Sequence, residues 1–301
     1  MTSTQPTRGV WANVRAFGRL VRLSHTIFGL PFALAATALA HQHAIANGDT
    51  GLDATRLLLI VLAFTGARAA AMGFNRIVDR KIDAKNPRTA DRELPRGVIS
   101  LPAAWALTLV SAGVFLAAAA LLGPLPAALA PICLVVVCAY SLFKRFSWSS
   151  HLVLGVALAL APGGAWIAVT GSFDGWQLPL WLMIAVASWV AGFDVLYSLA
   201  DEDFDRKTGL HSIPARFGTR GALWLSGLLH LGTVAALLAL HLSAGLGPWH
   251  AIGLALVTLI LAYEHWLVGP GDLTKLDKAF FDLNGYISLA YLAFALLDIL
   301  G

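Results

Sequence analysis

"GFNRIVDRKIDAKNPRTADRELPRG", residues 73–97, follows directly on an apolar run and concentrates charge in a chain of which only 13% is Asp, Glu, Lys or Arg. Asn75, Asp79 and Asp83 stand four residues apart in it, crowded by Arg76, Arg80, Lys81, Lys85, Arg88, Arg92 and Arg96. Whether the stretch ends a membrane-crossing helix or decorates a soluble domain decides the fold. Composition answers: of 301 residues, 58% are hydrophobic, with a mean hydropathy of +0.73. Ordinary soluble domains are about half apolar and about a quarter charged. A soluble chain of this length could not hide so much apolar surface and keep a wettable exterior. The chain is a multi-span membrane protein, and the quoted stretch is the end of its second span.

A helix needs about 20 mostly apolar residues to cross a bilayer. Nine such runs are legible, at about 23–40, 55–75, 102–122, 126–143, 150–170, 178–200, 221–243, 247–268 and 279–300. With the N-terminus in the cytoplasm, every Lys and Arg except Arg56 and Arg68 falls in a cytoplasmic segment, as the positive-inside rule requires. The expected fold class is therefore an all-α membrane protein of about nine transmembrane helices, one domain over residues 1–301. Residues 1–22, which lack a clean signal-peptide core and cleavage site, form a basic cytoplasmic arm. Residues 76–101 and 201–220 form cytoplasmic loops. The expected location is the cell (inner) membrane. Topology accounts for the net charge of +4, so no nucleic acid is expected. Cys133 and Cys138, five apart in one apolar run, point to different helix faces and read as small core residues.

Continued as a helix, the second span carries Arg68, Asn75 and Asp79 in a narrow stripe, with Asp83 one turn on. Two carboxylates and an amide are hard oxygen donors of the kind Mg²⁺ accepts, with water and substrate phosphate completing its shell. The plainer reading is a solvated helix end whose acids balance nearby bases. A second acidic run, "GFDVLYSLADEDFDRKTGLHSIPARFG" at 192–218, puts Asp194, Asp201 and Asp205 on one stripe beside Tyr197 and Ser198. Asp194 lies inside the apolar span, where an ionisable group is costly and functional by default. Asp201-x-Asp203-x-Asp205 also suggests a calcium loop, but Arg206 and Ser212 stand where that loop needs Gly and Glu. An even number of spans separates the two runs, so both end on the cytoplasmic side. Facing each other across one cavity, with Arg88, Arg92, Arg96, Lys144, Arg145, Arg206 and Lys207 around it, they would hold a diphosphate through metal ions.

These residues resemble the UbiA family of intramembrane prenyltransferases. Asn75-x-x-x-Asp79-x-x-x-Asp83 is similar to the family's first motif and Asp201-x-x-x-Asp205 to its second, with Asp194 and Tyr197 at its upstream Asp and Tyr positions. "RTADRELPRG" after the first motif and "YSLFKRFSW" at 140–148 resemble further family segments. The resemblance implies a barrel-like helix bundle around a central apolar chamber with cytoplasmic caps. It implies Mg²⁺-dependent transfer of a polyprenyl group from its diphosphate to an acceptor ring. Asn75, Asp79, Asp83, Asp201 and Asp205 would hold the metal, with two ions bridging the diphosphate, and Asp194 would join the catalytic acids. Arg88, Arg92, Lys144, Arg145 and Lys207 would bind the diphosphate. Arg68, Tyr197 and Asp194 would contact the acceptor. Metal and bases would stabilise the departing diphosphate, and a water-poor chamber would protect the allylic cation.

Arg68 is the one basic residue well inside a span, and guanidinium suits an aromatic carboxylate; an ion pair with Asp194 is the structural alternative. The overall pattern resembles the 4-hydroxybenzoate polyprenyltransferases of quinone biosynthesis. "RLSHTIFGLPFAL" at 22–34 and "GLHSIPARFG" at 209–218 instead look like the branch that prenylates a dihydroxynaphthoate for menaquinone by the futalosine route. His25 and His211 are candidates for proton transfer, with a structural role as the plainer reading. The competing class is an ion-coupled secondary transporter, whose buried acids would lie nearer the midplane.

Overall fold

The computed structural model of the protein describes residues 10–22, 26–268 and 282–301, and no strand occurs among them. Expectations for Arg8, His25, Lys275 and Lys278 lie outside the described residues. Among the described residues eleven α-helices follow in order: α1 (Val10–Leu20), α2 (Thr26–Ala46), α3 (Ala54–Asp83), α4 (Leu101–Leu122), α5 (Pro124–Phe143), α6 (Ser150–Thr170), α7 (Gln177–Ser198), α8 (Glu202–Thr208), α9 (Ile213–Ala244), α10 (Pro248–Leu267) and α11 (Asn284–Leu300). Hydrocarbon offers the backbone no hydrogen-bonding partner, so a lipid-spanning segment of this composition must satisfy its own N–H and C=O groups as helix.

Seven crossings stand on length and hydropathy among the described residues: α3, α4, α5, α6, α9, α10 and the run Gln177–Thr208 that contains α7 and α8. The two other runs also form helices. α2 carries the polar sequence His41-Gln42-His43 near its C-terminal end. α11 has 17 residues and follows a π-helical turn at 282–283, at the lower end of the range for a bilayer crossing. Outward-facing Leu109, Val110, Val135, Leu231 and Leu259 are exposed, an apolar exterior that belongs in lipid. The protein is thus a multi-pass membrane protein.

α3, α4, α5, α6 and α7 pack as successive neighbours, α9 leans on α7, and α2 lies against α6 and α11. The expected central chamber is present but not central to every helix: α2 to α8 and their adjoining loops line it, and no described residue beyond Ser212 does. An aromatic core explains the asymmetry. Phe32 of α2 stacks on Tyr291 of α11 at 4.9 Å and tilts against Trp189 of α7 at 5.0 Å. These fully buried rings fill the space that α9 to α11 would otherwise share with the chamber. Polar ties lock the same layer: Trp189 Nε1 donates to Asn284 Oδ1 at 2.7 Å, and Asn284 Nδ2 to Glu264 Oε1 at 3.0 Å.

Helix ends place the polar loops. α3 does not stop at the apolar boundary but runs to Asp83, so the first acidic stripe is helical throughout. α7 closes in a 3-10 turn over Leu199–Asp201 before α8, so the second stripe is broken where a continuous helix is expected. Ser212 caps α9, its side chain accepting from Ala215 N. Six residues on, Gly218 kinks α9 at φ 71° and ψ 171°, a conformation open to glycine and strained for residues with a Cβ.

Candidate active site

Both acidic motifs reach one chamber of about 670 Å³. Its polar pole is lined by Asn75, Asp79, Asp83, Asp194, Tyr197, Asp201 and Asp205, together with Arg88, Arg92 and Lys144. Away from that pole the walls turn apolar, through Ala67, Ala71, Val137 and Leu158 to Leu122, Pro126 and Trp176. The shape suits an amphiphile with an anionic head and a long apolar tail.

At the pole the acids are interlocked with bases. Asp79 is buried, and its two carboxylate oxygens face Lys144 Nζ at 2.5 Å and Arg145 Nη2 at 2.7 Å. Asn75 Nδ2 donates to the same carboxylate at 3.1 Å. Arg145 also donates to the carbonyls of Ser141 and Val78, binding the end of α5 to the end of α3. Asp83 accepts from Arg92 Nη1 at 2.8 Å. Asp201 forms an ion pair with Arg88 and accepts from Asn86 Nδ2 at 2.9 Å. Arg88 lies 4.5 Å over the Tyr197 ring, close enough for a cation–π contact. Burial opposes the charge on Arg88, but the hydrogen bond and charge of Asp201, with help from Tyr197, outweigh it and raise the guanidinium above its ordinary pKa. The segment after the first motif is thereby fastened to the second motif.

Other expected residues divide. Arg68 lines the chamber and donates to Val21 O at 3.2 Å; among the described residues it makes no ion pair, with Asp194 or otherwise. Asp194 instead meets His151 Nδ1 at 2.7 Å. His151 Nε2 accepts from Ile213 N at 3.4 Å, which leaves the ring proton on Nδ1, donating to Asp194. His211 lines the chamber, and its backbone N donates to Lys144 O. Lys207 is exposed and absent from the lining: the chamber face of α8 belongs to Asp205, and a helical residue two positions on points away. Arg96 is exposed, and Arg206 pairs with Glu202 at 2.9 Å. Cys133 and Cys138 are free and half-buried.

Sequence reading missed Asn86 and His151. Asn86 lies within the first charged stretch and was open to notice; His151 sits in an apolar helix with nothing local to mark it.

The donor set fits a hard divalent ion. Oxygen ligands dominate the pole, and the buried Asp83 Oδ2 has no hydrogen-bond partner among the described residues. No group of three or more His, Cys, Asp or Glu side chains among those residues is arranged to hold a metal alone. Mg²⁺ is usually bound by one or two carboxylates plus substrate phosphates rather than by an all-protein cage, so an ion here would take part of its shell from the diphosphate.

A polytopic membrane protein whose apolar chamber ends in paired acids and bases is built to handle lipid-like substrates with charged heads. The UbiA prenyltransferase family model matches residues 29–288; the chain belongs to that family and is a prenyltransferase. The transporter alternative is set aside. A 4-hydroxybenzoate octaprenyltransferase of Azotobacter vinelandii is 31% identical over 285 residues, 94% of this chain and 93% of that one. The apo structure of a UbiA homolog from Aeropyrum pernix K1 superposes with a TM-score of 0.83 at 34% identity, covering 91% of this chain and 98% of its own. A UbiA homolog from Archaeoglobus fulgidus, solved bound to DMAPP and Mg²⁺, shares the fold with a TM-score of 0.68 at 20% identity, over 94% of this chain and 98% of its own.

Proposed function

We propose that the protein transfers a polyprenyl group from its diphosphate to a carboxylated phenolic ring of the 4-hydroxybenzoate type, in quinone biosynthesis, with Mg²⁺. The observation that carries this reading is the single chamber shared by both motifs, charged at one pole and apolar beyond it. The similarity to a 4-hydroxybenzoate octaprenyltransferase supports the acceptor class.

In this reading Asn75, Asp79, Asp83, Asp201 and Asp205 hold the metal–diphosphate unit, with two ions bridging it. Bound there, Mg²⁺ would neutralise the departing diphosphate. Lys144, Arg145, Arg88 and Arg92, which pair with the acids, take up diphosphate oxygens. Arg68 receives the acceptor carboxylate, while Asp194, oriented by His151, and Tyr197 border the ring. The apolar wall keeps water from the allylic cation until the ring attacks. The chain acts as one domain over 1–301 in the inner membrane, with its N-terminus and polar pole toward the cytoplasm; the placement of Lys and Arg supports that orientation.

Purified protein with Mg²⁺ and a prenyl diphosphate is offered 4-hydroxybenzoate or a dihydroxynaphthoate, and the product is identified by mass. Prenylated 4-hydroxybenzoate is the expected product. Prenylated dihydroxynaphthoate alone would reassign the acceptor, and the absence of both would overturn the reading.

A further inference from the structure

α6 carries two adjacent glycines with opposite surroundings. At Gly163 an added Cβ would lie 2.6 Å from Met183 Sδ and 3.0 Å from the Trp176 ring, so that glycine serves close packing. At Gly164 an added Cβ would meet nothing within 4 Å, although Gly164 belongs to the chamber lining and is exposed. Gly164 therefore borders the chamber with backbone alone. Ala157, Ala161 and Ala168, one and two turns away on the same face, also line the chamber. The wall here is bare, in a helix interior where glycine is less favourable than alanine.

Position gives the bareness a consequence. Gly164 lies 13 residues along α6 from His151, which marks the polar pole, or about 20 Å at the helical rise. An extended isoprene unit advances by about 5 Å, being four backbone bonds of about 1.5 Å. Gly164 is thus level with about the fourth unit of a chain whose diphosphate sits at the pole. Beside it the chamber is bordered by Trp176, whose ring reaches Gly163, and also by Phe173, the two rings meeting edge-on at 5.2 Å. The connection carrying them is braced: Trp166 Nε1 donates to Asp174 O, and Trp176 N to Phe173 O.

We propose that Gly164 sets the prenyl-chain specificity of the protein, its missing side chain leaving the bore open for chains longer than about four units. This rests on the chamber holding the prenyl tail as in the proposed function. The length of chain admitted follows from the bulk at this one position.

The test is binding, without acceptor, so that a wrong acceptor does not affect it. Geranyl diphosphate, of two units, and octaprenyl diphosphate are titrated with Mg²⁺ into the purified full chain and into Gly164→Trp and Gly164→Ala, each checked for an unchanged thermal midpoint. Gly164→Trp is expected to bind geranyl diphosphate within about twofold of the unaltered protein and octaprenyl diphosphate at least about tenfold more weakly, because a blocked bore is an overpacked one. Gly164→Ala is expected to show the same selectivity in smaller degree. Equal loss for both ligands, or no loss for the longer one, overturns the role of Gly164 while leaving the proposed function standing. Failure of the unaltered protein to bind either ligand overturns both.

Discussion

Lys144 Nζ stands 2.5 Å from Asp79 Oδ2, a first-motif acid that is only 2% exposed. The loop after α5 thus places its cation on the acid that the family pattern assigns to metal. Arg145 holds the other oxygen, so Asp79 keeps one charge-assisted partner when either base is removed. If Lys144 serves the diphosphate, Lys144→Met will raise KM for prenyl diphosphate by about tenfold or more, the usual cost of losing a hydrogen bond to a charged group, with a smaller change in kcat. Asp79→Asn will lower kcat by about a hundredfold or more. Steady-state kinetics separate the two. A Lys144→Met protein with unaltered KM would leave the lysine a purely structural counter-ion.

The tie between Arg88 and Asp201 makes a second prediction. Arg88 donates to Asp201 through Nε at 3.0 Å and pairs with it again through Nη2, while its plane covers Tyr197. Lysine cannot reproduce that fork or the stacking. Arg88→Lys is expected to cost about tenfold in kcat/KM, whereas Arg96→Lys, at an exposed position off the lining, will change it by less than about twofold. Equal effects at both sites would show that only the surface charge matters.

How far the sequence revealed this site depends on the distance over which each contact acts. The Asn75, Asp79, Asp83 stripe was legible because four-residue spacing on a helix is a local property, and α3 continues through it. The meeting of the two motifs followed from counting spans and charges. The partners of the acids did not: Asn86 reaches Asp201 across 115 residues and His151 reaches Asp194 across 43, distances that only packing resolves. Lys207, read from sequence as one of the cations around the cavity, lies off the lining two residues past Asp205 on α8, a difference of helix face that spacing alone does not reveal. The one-sided chamber was invisible too, since the apolar residues of α9 to α11 read the same whether they face a lumen or a packed aromatic core.

Arg68 yields the sharpest test of the acceptor. It lines the chamber about two turns from Asn75, and its one described hydrogen bond is to a backbone carbonyl. Arg68→Gln keeps a donor for Val21 O but loses the charge. KM for 4-hydroxybenzoate is expected to rise about tenfold or more, with KM for the prenyl diphosphate within about twofold. A matched rise in both constants would mean that Arg68 supports the chamber as a whole.

His151 joins α6 to α7 through Asp194 and to α9 through Ile213 N. The imidazole is buried, and these two contacts fix its plane against the Asp194 carboxylate, which it orients. His151→Ala leaves the fully buried Ile213 N–H without that acceptor and Asp194 without that donor, at a cost of about 1–3 kcal/mol for an unsatisfied group. Because both losses pass through one contact, the stability effects of His151→Ala and Asp194→Ala will not add. The double variant is expected to fall short of the sum by about 0.5–3 kcal/mol, measured as thermal or denaturant unfolding in detergent. Strict additivity would mean that the two side chains act independently, and Asp194 would then need another group to orient it toward the ring.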